Sequence, residues 1–556
     1  MPRRIVRTGL QLGTLTITVL VLIFLLDNRY SVLPNKIHGY LPTHHPGLVL
    51  TDITVTTCSS LGLFSSCSLD EEVWHRVDKD LYLDSGWFSH AFVHVQRKRE
   101  EELLETDRVI MDIRVGRLDP VTSEKGEGSE RWESRPGNIW LLRSTKRHAS
   151  DSQKALTAID VLFGADAVEP RLGWEIKDQA LLSNVVPEPR LSVRRGPPHP
   201  VTKPTLRVRK DGKFKILQVS DMHLSTGLGT CRDVKMTATS NPHCDADPRT
   251  IEFVSKILDS EKPDFVVLSG DQVNGETAPD TQSALFKFAS IFIDRNIPYA
   301  CIFGNHDDEG SLSRQGMMSL LDSLPLSLSE PGPATIDGVG NYAIEVLAKS
   351  SSHSALTLYL LDTHGYSPDE NHFKGYDWIK KSQIDWFTST AASKKTQPSH
   401  KDYSHIRLNM AFIHIPLPEY RNIDLRIAGS GAALEAPTAP GFNSGFKDAL
   451  ISSGIFAVSC GHDHANDYCT LEHHSEPSKK NGQESIDGKL WMCYAGGSGF
   501  GGYGGYGGYK RRVRVWEFDF ERISVGTWKR VEGEKSEEGG RVDEKTVVDS
   551  GRVLDG

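Results

Sequence analysis

Tyr299-Ala300-Cys301-Ile302-Phe303-Gly304-Asn305-His306-Asp307 sets a short apolar run directly against a glycine turn and three polar side chains. A run of this kind, bounded by turn residues, suits a strand buried on both faces. The same arrangement recurs four times. Lys215–Ser220 leads into Asp221-Met222-His223, Phe265–Ser269 into Gly270-Asp271, Met410–Ile413 into His414, and Ile455–Cys460 into Gly461-His462-Asp463-His464. Each fragment alone is weakly specific. All five in order, each after a strand-like run, are not a chance pattern. Side chains at strand ends converge on one edge of a sheet, where open α/β folds build their sites.

The intervening stretches read as helices. Asp247 suits an N-cap and Pro248 a first helical position, with Ile251, Val254, Ile257 and Leu258 following at helical spacing. Leu285, Phe288, Ile291 and Phe292 repeat that spacing before the third strand. Strand alternating with helix predicts a layered α/β domain. The residue types point to hydrolysis of a phosphoester. Two divalent or trivalent ions about 4 Å apart can clamp a phosphate and present a bridging hydroxide for in-line attack. Such a pair needs a shared carboxylate, for which Asp271 is the natural choice, and a shell of oxygen and imidazole donors.

The five motifs resemble those of the calcineurin-like metallophosphoesterases, whose pattern is D-x-H, G-D, G-N-H-[DE], H and G-H-x-H. The resemblance runs over about residues 205–530. It implies a layered β-sandwich flanked by helices (αββα) holding two metal ions, with Mn, Zn and Fe all open. It also implies the division of ligands: Asp221, His223 and His464 for one ion, Asn305, His414 and His462 for the other, and Asp271 between them. His306 then stands unligated as the acid that protonates the leaving oxygen, and Asp307 is expected to orient its imidazole. Within the superfamily the chain is similar to fungal purple-acid-phosphatase-related proteins, through Cys231-Arg232-Asp233, Ala246–Thr250, Leu361–Tyr366, His414–Tyr420 and the Gly/Tyr run near 500. True purple acid phosphatases carry a tyrosine ligand three residues after the bridging Asp. Asn274 stands here, so no tyrosine-to-iron charge transfer is expected. The implied substrate is a phosphomonoester, with phosphoprotein favoured. A phosphodiesterase or nucleotide hydrolase, or an inert membrane-anchored binding protein, remains open on the sequence.

Other polar residues have plainer readings. Asp362-x-His364 also reads D-x-H but suits a pocket wall or a structural pair, since the metal pattern is complete without it. His44-His45 and His473-His474 suit solvated loops, and Glu419 and Tyr420 either line the substrate mouth or pack a loop. Gly496–Tyr509, with Tyr503, Tyr506 and Tyr509 at every third position, is too glycine-rich for a helix and is read as a rim of the site. Arg511 and Arg512 suit either phosphate pairing or surface charge.

The formal net charge of −9 gives no support to a nucleic-acid partner. Residues 1–30 combine Arg3, Arg4 and Arg7 with an apolar run from Leu15 to Leu26, extended through Leu10, and no A-x-A-like cleavage site follows. They read as an uncleaved signal anchor, a single-pass helix with a cytoplasmic N-terminus and a lumenal or extracytoplasmic enzyme. Of the eight cysteines, Cys231/Cys244 and Cys58/Cys67 are close enough to pair, whereas Cys301, Cys460 and Cys493 read as buried thiols. The absence of any Asn-x-Ser/Thr sequon points weakly the other way, to a cytosolic face. Residues 31–46 read as a polar stem and 47–185 as a β-rich accessory domain. A proline-rich linker is expected at 186–204, then the phosphoesterase domain at 205–531 and a disordered charged tail at 532–556.

Overall fold

The structure, a computed structural model, describes residues 47–59, 67–83, 85–86, 88–104, 106–117, 132–144, 154–234, 244–396, 407–422, 427–428, 433–473, 488–533 and 540–555, with 13–16, 18–19 and 22. Most of the predicted anchor, the whole stem, His44, His45 and His474 lie outside the described residues. Among the described residues no helix is long and apolar enough to cross a membrane.

The chain divides into two compact units, the first holding residues 1–161, 173–181 and 191–199 and the second 162–172, 182–190 and 200–556. The accessory region is β-rich as expected. Its strands are β1 (Leu48–Ser59), β2 (Trp74–Arg76), β3 (Ser89–Arg99), β4 (Ile110–Val115), β5 (Trp132–Arg135), β6 (Ile139–Arg143), β7 (Leu156–Phe163), β8 (Trp174–Ala180) and β9 (Pro189–Arg195). They form three-stranded sheets in the orders β1-β3-β2, β4-β6-β5 and β7-β9-β8. The expected linker is therefore corrected in its middle. Pro189 opens β9, a tolerated strand position, and Leu191 and Val193 are buried within it.

The second unit carries two seven-stranded sheets. One contains β10 (Lys213–Val219), β11 (Phe265–Ser269), β12 (Tyr299–Ile302), β20 (Arg512–Asp519), β21 (Ser524–Val531), β22 (Val542–Asp549) and β23 (Arg552–Val553), in the order β12-β11-β10-β20-β21-β22-β23. The other contains β13 (Tyr342–Leu347), β14 (Ser354–Leu360), β15 (Leu408–Phe412), β16 (Ile427–Ala428), β17 (Ala457–Cys460), β18 (Cys469–His473) and β19 (Lys489–Tyr494), in the order β13-β14-β15-β17-β19-β18-β16. Strands β10, β11 and β12 run parallel, as do β14, β15, β17 and β19. The five runs read as strands are all strands, and each delivers its motif at its C-terminal end. Helices α1 (Ala246–Glu261), α2 (Thr281–Ile293), α3 (Arg314–Asp322), α4 (Lys381–Thr396) and α5 (Phe446–Ser452) connect the strands.

Two buried polar links organise this unit. Ser459 Oγ of β17 donates to Gln218 Oε1 (2.7 Å), while Gln218 Nε2 of β10 donates to Ser269 Oγ (3.0 Å). The two sheets are thereby fixed to one another just behind the motifs. Glu261, the last residue of α1, accepts from Lys215 Nζ (3.0 Å), Trp528 Nε1 (3.0 Å) and Arg530 Nη1 (2.6 Å), which lock the helix onto β10 and β21.

Several sequence expectations are corrected. Helix α1 begins at Ala246 with Asp245 as its N-cap residue. Asp247 lies inside the first turn, where its carboxylate accepts from Ser225 N–H (2.9 Å) and Lys287 Nζ (2.9 Å). The disulfides are Cys58–Cys67, Cys231–Cys244 and Cys469–Cys493, so Cys493 is paired across β18 and β19, and only Cys301 and Cys460 are buried thiols. The tail is not disordered over 540–555, because Val547, Val548 and Val553 supply enough apolar burial to add β22 and β23 to the sheet edge.

Glu261 yields a stability prediction. Burial raises its pKa, but hydrogen bonds from Trp528, Arg530 and Lys215 outweigh that and hold it below the usual 4.5. A carboxyl depressed in the folded state stabilises the protein above its unfolded pKa, and that contribution disappears as pH falls through the folded value. Urea denaturation should show Glu261→Gln less stable by roughly 3 kcal/mol at neutral pH, because Arg530 and Lys215 lose their buried counter-charge. Below pH 4 the gap between variant and wild type should narrow.

Candidate metal centre

The sheet edges bring together residues more than 200 positions apart in sequence. Asp221, His223 and His464 form one fully buried group, and Asp271, His414 and His462 a second, with the donor atoms of each group lying within 4.8 Å of one another. His223 Nε2 and His464 Nε2 face each other at 3.0 Å, and His464 Nε2 lies 3.4 Å from Asp221 Oδ1. Asp271 Oδ2 is 3.1 Å from His414 Nε2 and 3.8 Å from His223 Nε2, a position between the groups. Asn305 is buried beside them, and both atoms of its amide lack a hydrogen-bond partner.

The backbone is bent to achieve this. Asp221, His223, Asp271 and His462 all adopt left-handed φ angles, 54°, 48°, 52° and 74°, which cost energy for non-glycine residues. The motif glycines allow close approach. At Gly270 a Cβ would lie 2.3 Å from His414 Nδ1, and at Gly461 it would lie 1.8 Å from Ser220 Oγ. Neither position has room for a side chain.

The donor set fits a pair of cations. Besides Asn305, the atoms of this cluster without a hydrogen-bond partner include His223 Nδ1 and both ring nitrogens of His462, while His414 Nε2 and Asp271 Oδ2 face each other at 3.1 Å. Buried polar atoms are rarely left in this condition unless a ligand or ion completes them. Burial lowers the pKa of His223 and of His462 to about 3, with a neighbouring imidazole adding to the effect in each case, so both rings are neutral donors. Burial opposes charge on His414 as well, but the Asp271 carboxylate overcomes it and raises His414 to about 9. Supporting contacts fix the rings: His414 Nδ1 donates to Ser269 O (2.9 Å), and Tyr509 Oη lies 3.1 Å from His464 Nδ1. Such outer contacts hold a ligating imidazole in one tautomer and orientation.

Asp307 does not orient His306. Its carboxylate accepts three backbone N–H groups, from Gly304 (2.7 Å), Asp271 (2.8 Å) and Val273 (2.9 Å), and so staples the Gly270-Asp271 turn to the Gly304–Asp307 turn. The partner of His306 is Glu309, whose Oε2 lies 2.8 Å from Nδ1. This residue escaped the sequence reading, and its position three residues past His306 was the available signal. Burial works against a charged His306, while Asp271 and Glu309 outweigh it and raise its pKa.

The remaining singled-out residues divide. Asp362 and His364 are structural: Arg314 Nη1 donates to Asp362 Oδ1 (2.6 Å), and His364 Nε2 bonds Gln383 Oε1 (2.8 Å). Tyr420 is 3% exposed and donates to Val458 and Cys493 carbonyls, so it is core, whereas Glu419 accepts from Asn443 (2.9 Å). His473 ends β18 exposed. The Gly/Tyr run does border the site. Tyr503 stacks on His464 at 4.1 Å and donates to His462 O (2.7 Å), but the N–H groups of Gly505 and Tyr506 are taken by Asp233 Oδ2. Arg511 is fully buried, donating to Gly499 O (2.7 Å), and Arg512 pairs with buried Asp467. Neither is surface charge. A cavity of about 520 Å³ opens onto His223 and His306, lined also by Arg232, Asn274, Glu276 and Tyr503.

Residues 214–466 match the calcineurin-like phosphoesterase family model. The chain belongs to that family. It is 37% identical over 404 residues to phosphatase DCR2 of Saccharomyces cerevisiae, an alignment covering 69% of this chain and 65% of that protein, so the chain spans just under two thirds of that relative. It is 32% identical to an uncharacterized protein of Schizosaccharomyces pombe over 90% of both chains. Probable inactive purple acid phosphatase 14 of Arabidopsis thaliana is 37% identical over 58% of this chain and 79% of its own.

Tyr509→Phe keeps the ring and removes only the contact to His464. We expect Mn affinity, measured by titration of metal-stripped protein, to fall roughly 10- to 100-fold with the fold intact. Asn274 donates to Thr277 Oγ1 (2.8 Å), and iron-loaded protein should show no purple charge-transfer band in its visible spectrum.

Proposed function

We propose that this protein is a metal-dependent phosphomonoesterase, with phosphorylated protein as its substrate. The observation that carries the reading is the complete set of buried donors beside an unligated His306 at the mouth of a cavity. Asp221, His223 and His464 would hold one ion; Asn305, His414 and His462 the other; and Asp271 would serve both. When bound, two such ions withdraw charge from phosphoryl oxygens and lower the pKa of an attacking water.

The chain's own residues do the rest. Glu309 engages His306 Nδ1, and the His306 ring lines the cavity. From there it supplies a proton to the departing oxygen, a role suited to an imidazole whose charged form is favoured by Asp271 and Glu309. Asp271 Oδ1 accepts the His306 backbone N–H (2.8 Å), so the acid and the central carboxylate are positioned by one another. The cavity is several times larger than a phosphate group, which supports a bulky phosphorylated substrate. The name of the yeast relative, a phosphatase, supports the phosphoester chemistry. The apolar run from Leu15 to Leu26 supports an N-terminal anchor that would keep this activity at a membrane.

The test is hydrolysis of an aryl phosphate by the full chain, stripped of metal and refilled with Mn, Zn or Fe. Wild type should turn over in a metal-dependent way. Asp271→Asn should lose at least roughly 1,000-fold, as expected when the shared carboxylate of a two-metal clamp is removed. His306→Ala should lose about 100- to 10,000-fold in kcat. Folded, metal-loaded wild type that is silent toward monoesters but cleaves diesters would replace this reading with a phosphodiesterase, and silence toward both would favour the binding protein.

A further inference from the structure

The segment after β14 carries Asp362-Thr363-His364-Gly365-Tyr366, which the metal centre does not use as ligands. It runs directly against the turn that does. A Cβ at Gly365 would lie 3.7 Å from Asn305 Cβ, and Arg314 ties the two segments together by donating to Gly304 O (2.6 Å) and His364 O (3.2 Å). Tyr366 is thereby placed one residue from the Asn305 contact.

Its ring is held there by a second strand-like pairing. Tyr366 bridges Tyr376 in antiparallel fashion, with Ser367 N–H donating to Gly375 O (2.8 Å) and Asp377 N–H to Gly365 O (2.9 Å). The two rings stack at 5.0 Å and 20°. Tyr376 then meets the His462 ring edge-on at 4.5 Å and 90°. The stack is therefore registered to the second donor group, yet Tyr366 remains 51% exposed. A separate aromatic cluster is formed by Phe373 and Phe442, exposed at 39% and 43% and both packed on Trp378 at 4.8 Å. Apolar rings left in water beside a reaction centre, in a geometry fixed by backbone hydrogen bonds, are the mark of a surface that another group covers.

We infer that the Tyr366–Tyr376 stack is a subsite for the planar aromatic portion of a phosphomonoester, bound by ring stacking while its phosphoryl group lies at the donor groups. This rests on the phosphomonoesterase reading of the same centre. A flat ring offered to Tyr366 extends an existing offset stack, a geometry that favours aromatic over aliphatic groups of the same size.

The experiment titrates the Mn-loaded full chain with phenylphosphonate and with cyclohexylphosphonate, which are similar in size but not in planarity and are not hydrolysed. Wild type should bind the phenyl compound about threefold to tenfold tighter. Tyr366→Phe should keep that preference and Tyr366→Ala should abolish it, while cyclohexylphosphonate binding changes little. Equal binding of the two by wild type, or a preference that survives in Tyr366→Ala, would overturn the subsite and leave the phosphomonoesterase reading standing. A wild type that binds neither phosphonate would overturn both.

Discussion

Two carboxylates, Asp221 and Asp271, are buried among His223, His414, His462 and His464 where the two sheets meet. Ionised groups are costly to remove from water unless matched by charge and hydrogen bonds. The surrounding protein meets only part of that requirement. Asp221 receives the His462 backbone N–H (3.1 Å) and Asp271 that of His306, and Asp271 Oδ2 faces His414 Nε2 at 3.1 Å, but His223 Nδ1 and both ring nitrogens of His462 have no hydrogen-bond partner. The fold around this cluster, from the Gln218 cross-link to the Asp307 staple, holds donors together that would otherwise move apart.

The scaffold is arranged in successive layers of support. Parallel strands bring the motifs to one edge, and the turns after them are locked by backbone hydrogen bonds to buried side chains. Asp307 joins two turns, and Lys287 joins the segment after His223 to α1 by donating to Ser225 O (2.9 Å), to Gly227 O (2.6 Å) and to Asp247. Arg511 fixes the Gly/Tyr run from behind through Gly499 and Tyr509 carbonyls. In each case a buried charge satisfies backbone groups in loops that have no regular ladder, which gives loop residues the positional precision of strands.

The strands and the donor residues were legible because both signals are local: an apolar run of four to six residues, then a short motif. The α/β layering followed from the same runs and the helical spacing between them. What was not legible depends on contacts far apart in sequence or on loop paths. Asp307 read as the partner of His306 because adjacency was the only information available, whereas turn geometry gives that place to Glu309. Tyr509 reaches His464 from 45 positions away. Strand β22 was hidden by its charges, since Val-Asp-Glu-Lys-Thr-Val-Val-Asp places only two fully buried residues, and composition alone reads such a segment as solvated. Cys493 was misread because its strand is buried, and burial does not distinguish a thiol from a cross-strand disulfide.

Strain and charge point to the same conclusion about the centre. Four of its residues sit at left-handed φ, each at a cost of order 1 kcal/mol or more, and the carboxylate–imidazole cluster adds a desolvation cost on top. Replacing an aspartate with asparagine would lower the desolvation cost of the charge but would leave the left-handed backbone in place. Cation binding offsets these costs in the folded state alone, so the arrangement makes physical sense as a preorganised metal site whose strain is tolerated for what the bound ions do.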